Sequence, residues 1–138
     1  METTLPIRLP QRLERQALLA AGPAAPAAAR SEVEAAICSW EVPVDPSIAQ
    51  LLTSELVTNA VTHAAGETVL LVCSLGWGHV RVEVHDTSWS PPILVETPAD
   101  AETGRGLMLI DSLSSYWGYH WTGTGKVVYF TLGFQADP

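Results

Sequence analysis

Residues 79–86, HVRVEVHD, alternate without a break, with Val80, Val82 and Val84 set against Arg81, Glu83 and His85. A period of two puts the valines on one face of a strand and the polar residues on the other, so this segment belongs to a sheet covered on one side only. The run before it, ETVLLVCSLG at 67–76, is rich in β-branched and aliphatic residues, and a Gly-Trp-Gly turn separates the two, which is the pattern of a β-hairpin. A sheet with one apolar face is stable only when another layer lies on that face.

The rest of the chain supplies that layer. Between Ala27 and Trp40 the apolar residues Ala29, Val33, Ala36, Ile37 and Trp40 recur at steps of three and four, which predicts an amphipathic helix. EVPVDPS then interrupts it with two prolines. Asp45 is a good N-cap with Pro46 at the first helical position, so a second helix is expected from Pro46 to about Ala65, ending at Gly66. A third begins near Gly104 and carries Leu107, Met108, Ile110, Asp111 and Leu113, followed by strands in SYWGYHW and KVVYFTLGF around a Gly-Thr-Gly turn. TLPIRLP, at 4–10, has the character of an edge strand, and LLAAGPAAPAAAR, at 18–30, that of a small-residue loop leading into the first helix. The expected class is α+β, a two-layer sandwich of helices on one face of a largely antiparallel sheet. No internal repeat is visible, and 138 residues suit one domain spanning 1–138.

Composition narrows the function. Fifteen acidic residues against seven basic ones give a net charge of −8, which opposes general attraction to nucleic acid or an anionic membrane. Cys38 and Cys73 stand without a CxxC or a second pair, so neither a disulfide framework nor a zinc site is suggested. The opening METTLPIRLPQR lacks an apolar signal core, and Pro23 and Pro26 break the Ala-rich run 20–29, so the reading is a cytoplasmic protein.

Three places could carry chemistry. In SELVTNAVTHA, 54–64, Glu55 and Asn59 lie one helical turn apart, with Asn59 at about 40° and Thr62 at about −20° from Glu55, while Leu56, Ala60, Val57 and Ala49 spread over roughly 100–200°. Taken alone, this polar face is what any surface helix shows. Asp86 ends a strand at the mouth of an 18-residue segment, 87–104, longer than an ordinary connection. A carboxylate there can accept a hydrogen bond from a ligand amine such as that of adenine, or simply cap a turn. TGRGL, 103–107, offers two glycines, Arg105 and the free amides of a helix start, a set that suits phosphate but also occurs without a ligand.

In combination they are specific. Glu-x-x-x-Asn on a helix, Asp at the end of the next strand pair, a long loop and Gly-x-Gly-Leu opening a helix resemble the N, G1 and G2 boxes of the GHKL (Bergerat) ATP-binding fold of histidine kinases and gyrase. LLTSELVTNAVTHA, VRVEVHDTSWSPP and GRGLMLIDSLSSYWG with GTGKVVYF are similar to the small anti-sigma-factor serine kinases and their single-domain relatives in actinomycetes. AAAR at 27–30 and Trp40 fit the first helix of that group, so the likeness covers nearly the whole chain.

The resemblance implies a nucleotide site. Asn59 would hold Mg2+, whose remaining positions phosphate and water complete. Glu55 would act as the base on a serine hydroxyl of a protein substrate. Asp86 would meet the adenine amine; Ser88, Gly104, Arg105, Gly106, Leu107 and Lys126 complete the nucleotide-binding set, with 87–103 as a lid. It also implies partners: a sigma factor, a small antagonist protein of the STAS fold as phosphoryl acceptor, and a second copy in a homodimer. Direct nucleic-acid binding is not expected. The contrasting class is a non-catalytic partner-binding module that keeps the fold with weak nucleotide binding or none.

Two positions depart from the pattern. The G1 box is ordinarily Asp-x-Gly, and Ser88 holds its third position; a left-handed backbone there would cost a serine roughly 1 kcal/mol or more. Many relatives have Thr where this chain has Val127, and a lost polar contact to the base is worth about 0.5–1.5 kcal/mol. GTGKVV is no P-loop, because position 120 is His and Val follows Lys126. His63, His79, His85 and His120 lack metal-ligand spacing, and His63 reads as a helix-end residue. Among the tryptophans, Trp77 in a turn and Trp89 in the lid are the candidates for partner contact.

Overall fold

The computed structural model describes residues 13–63, 66–89, 92 and 106–135. Its elements run β1 (Leu13–Ala20), α1 (Ala25–Ser39), α2 (Pro46–His63), β2 (Thr68–Gly76), β3 (His79–Asp86), α3 (Gly106–Leu113), β4 (Tyr116–Trp121) and β5 (Lys126–Gly133). The strands form an antiparallel sheet in the order β1-β2-β3-β5-β4. This is the α+β sandwich the sequence implied.

The alternation in β3 fixes the layering. Val80, Val82 and Val84 are at most 1% exposed and join Leu71 and Cys73 of β2 and Val128, Phe130 and Leu132 of β5 in a core capped by the helices. Val33 and Ile37 of α1, Leu52, Leu56 and Val57 of α2, and Leu107 and Ile110 of α3 complete it. On the opposite face, Glu83 accepts hydrogen bonds from Arg81 (2.7 Å) and pairs with His85 (3.0 Å), and the Arg81 guanidinium sits 3.7 Å from the centre of the Tyr129 ring.

Helix limits follow from capping. Asp45 Oδ1 accepts the Ser47 N–H at 2.9 Å, so α2 begins at Pro46 as its residues dictate. The first helix starts two residues before the expected Ala27, because a proline is tolerated in a first turn and Pro26 occupies it. It closes with a Schellman pattern: Val42 N–H donates to Ile37 O (3.0 Å) and Glu41 N–H to Cys38 O (3.3 Å), with Glu41 held at φ 51°. Val42, buried, packs in the core with Ile37.

The N-terminal expectation needs correction in part. Residues 4–10 lie outside the described residues, and the strand at this edge of the sheet is Leu13–Ala20, overlapping the segment read as a loop from 18. Leu13 to Ala20 pair in register with Leu75 to Thr68, so cross-strand hydrogen bonds to β2 outweigh the weak local signal of LERQALLA. No described helix is long and apolar enough to cross a membrane.

Candidate functional site

The candidate residues lie on α2 and at the end of β3, two elements that touch each other in the sandwich. Leu56, Val57 and Ala60 press one side of α2 into the core, which leaves Glu55 and Asn59 half-buried at the border of the apolar stripe. Thr58 and Thr62, further round, are exposed. Glu55 therefore does not lie on the fully solvated face, and its partial burial pushes its carboxyl above the usual range. Among the described residues neither Glu55 nor Asn59 has a hydrogen-bond partner.

Asp86 is the most constrained polar residue here. It ends β3 on the core side, continuing the Val80, Val82, Val84 row, and is 5% exposed. Its Oδ1 accepts the Ser88 backbone N–H at 2.8 Å and the Lys126 ammonium at 3.1 Å. Its Oδ2 is buried with no partner among the described residues. An orphaned buried carboxylate oxygen costs on the order of 1–3 kcal/mol, a penalty that a donor from outside would relieve.

Strand register explains why Lys126 is there. Asp86 pairs with Lys126 and His85 with Val127, so Lys126 shares the core-side row with Asp86 while Val127 faces the other side of the sheet between His85 and His120. Val127 thus lies on the opposite face of the sheet from Asp86, and Lys126 on the same face. The close fit depends on Gly125: a Cβ there would lie 2.1 Å from the Asp86 carbonyl oxygen and 2.6 Å from Thr87 Cα. Ser88 carries no left-handed backbone, since Glu41 alone among the described non-glycine residues has positive φ, and so it escapes the strain its place in the motif suggested. Its N–H instead braces Asp86.

The remaining sequence candidates divide. Leu107 is buried in the core near the start of α3, which Gly106 opens, and α3 lies against α2. Gly104, Arg105 and most of the lid, apart from Thr87, Ser88, Trp89 and Pro92, lie outside the described residues. His63 ends α2 exposed, His79 Nδ1 is 3.2 Å from the Trp77 carbonyl, and His120 rests against Tyr129. No group of three His, Cys, Asp or Glu among the described residues suits a metal. Asn59 needs no such group, because Mg2+ accepts one or two protein oxygens and takes the others from phosphate and water.

An aromatic cluster borders the same corner. Trp121 pairs in register with Lys126, and Trp89 stacks on it at 6.0 Å, with Tyr119 edge-on at 5.7 Å. Trp89 is 62% exposed, and Trp77 stands 82% exposed at the other end of β3. Trp121 carried no signal of its own in the sequence. The Lys126 contact was legible there, because counting back from Val128, Phe130 and Leu132 by twos lands on Lys126.

The model of the histidine kinase-like ATPase domain matches residues 19–132. The chain belongs to that family. Among solved structures, this histidine kinase-like ATPase resembles the RsbU and RsbW domains of Rv1364c from Mycobacterium tuberculosis, at a TM-score of 0.63 and 19% identity, over 91% of this chain and 34% of that one. The chain thus spans about a third of that protein's solved length, and at this identity the likeness is one of fold. The histidine kinase domain of the Erythrobacter litoralis EL346 blue-light activated histidine kinase aligns at a TM-score of 0.47 and 27% identity, over 64% of this chain and 44% of that one. No curated protein matches.

Proposed function

We propose that this histidine kinase-like ATPase domain binds ATP with Mg2+ and acts as a regulatory serine/threonine protein kinase of the anti-sigma-factor type. The observation that carries the nucleotide reading is the unpartnered Oδ2 of Asp86, a buried acceptor at the strand end where this fold would receive the base amine. Asn59 would give its amide oxygen to Mg2+, which neutralises triphosphate charge when bound. Gly104, Arg105 and Gly106 would supply phosphate contacts at the start of α3.

Glu55 would do the proton work. A serine hydroxyl of the acceptor protein gives its proton to the Glu55 carboxylate as its oxygen bonds to the transferred phosphorus and ADP leaves. The raised pKa of Glu55 favours that role, since a more basic carboxylate is a better acceptor. The acceptor would be a STAS-type antagonist and the held client a sigma factor, with a homodimer and a cytoplasmic setting; family resemblance supports these identities.

One observation favours a second reading. Lys126 already pairs with Asp86, as it would in a partner-binding module that had given up nucleotide. The two are separated by melting the protein with and without Mg-ATP, because a ligand present at 100 times its Kd stabilises by about 2.7 kcal/mol. A shift that requires Mg2+, together with phosphate transfer to a STAS protein, is expected; no shift at millimolar ATP refutes the nucleotide reading.

A further inference from the structure

We propose that Lys126 and Asp86 form a two-point base reader, in which Asp86 Oδ2 accepts the exocyclic amine of adenine and the Lys126 ammonium donates to a ring nitrogen beside it. The inference rests on the nucleotide reading and assigns this chain's own specificity element within that site.

Three observations lead to it. First, Asp86 is only half used: Lys126 and the Ser88 N–H both converge on Oδ1, leaving Oδ2 buried and unpartnered among the described residues. Second, Lys126 is only partly used as well. Its ammonium carries three donors, its side chain is 5% exposed, and its one acceptor among the described residues is Asp86 Oδ1. A buried ammonium with donors to spare is costly unless an acceptor reaches it. Third, both groups stand at one edge of the site, side by side in the β3–β5 register.

Together they present one acceptor and one donor. Adenine presents the complement on either side of its amine, a donor N6–H flanked by the acceptors N1 and N7. An oxo-purine such as hypoxanthine puts an acceptor where Asp86 Oδ2 needs a donor. The ammonium makes the ring-nitrogen bond charge-assisted, so it should contribute more than a hydroxyl at the same place.

The test is calorimetric titration of the intact chain with the Mg2+ complexes of ATP, 1-deaza-ATP and 7-deaza-ATP. ATP is expected to bind about tenfold or more tightly than whichever deaza analogue lacks the acceptor that Lys126 meets. In Lys126→Met the analogue and ATP are expected to bind alike; if that variant does not fold, the parent titrations decide alone. Trp121, opposite Lys126 in register, gives a second readout through its emission on base binding. Equal affinity for all three nucleotides in the parent overturns the reader while leaving nucleotide binding intact. No ATP binding by a parent that melts cooperatively overturns the nucleotide reading itself, and the reader with it.

Discussion

Replacing Lys126 with Met should be among the most damaging single changes to the fold, and the size can be worked from the buried pair. The ammonium and Asp86 Oδ1 are 3.1 Å apart, with side chains 5% and 1% exposed. At an effective dielectric of about 20, two unit charges at that distance attract by about 5 kcal/mol, much of it offset by the desolvation of both groups. Removing one partner leaves the other charge buried and uncompensated, which costs about 3–5 kcal/mol. For a domain of this length that corresponds to a fall in Tm of about 10–20 °C. Asp86→Leu combined with Lys126→Met removes both charges and keeps apolar volume, leaving mainly the Ser88 N–H without its acceptor at about 1 kcal/mol. The double variant should therefore melt well above Lys126→Met. Thermal and urea melts of the parent, both singles and the double close the cycle. A Lys126→Met protein within about 2 °C of the parent, or a double variant whose loss is the sum of the singles, would refute the reasoning.

Glu41→Gly should stabilise by about 1 kcal/mol, since Glu41 holds a left-handed backbone at φ 51° that glycine adopts freely; urea melts check it. Gly125→Ala should destabilise the fold and weaken nucleotide binding, because its Cβ would meet the Asp86 carbonyl at 2.1 Å, and the two effects can be read by melting and calorimetry. Asn59→Ala should abolish the Mg2+ dependence of nucleotide binding. Glu55→Gln should bind nucleotide but not transfer phosphate, and should be at least as stable as the parent at pH 7: burial raises the Glu55 pKa, so its ionised form costs stability at pH values above the ordinary carboxylate pKa. A variant that transfers phosphate at the parent rate removes Glu55 as the base. Glu83, bonded first to His85 and also to Arg81, is lowered from 4.5 to about 2, so its contribution is full above pH 4.5 and disappears as pH falls toward 2. Because the group keeps some contact with solvent, Glu83→Gln should cost about 1 kcal/mol at pH 7, with a flatter acid limb in pH-dependent melts.

Most of the layering was legible because the apolar periods are strong. Val80, Val82 and Val84 announced a one-sided sheet, and Asp45-Pro46 placed the start of α2 to the residue. The first strand was not legible, because LERQALLA has no alternation of its own and is held by its ladder with β2. The Glu55 and Asn59 stripe was visible as a polar face, yet whether a polar face meets water or a cleft depends on what packs beside it, and that is a tertiary fact. Which of Lys126 and Val127 shares a face with Asp86 was harder to read: two adjacent valines hide the phase of β5, and the polar Tyr129 and Thr131 recover it. The Gly125 approach to Asp86 left no local trace, since it arises between segments 39 residues apart, as their numbers show.

The division of the site between layers has a mechanical consequence. Asp86 and Lys126 belong to the sheet, locked by the β3–β5 ladder, whereas Glu55 and Asn59 ride on a helix that packs on that sheet through apolar side chains such as Leu56 and Val57. Apolar contacts resist separation but tolerate sliding, because they have no fixed direction. A molecule that touches Asp86 at one end and Asn59 at the other would act as a rivet through the sandwich, and its loss would free the helix to shift along the strands beneath it.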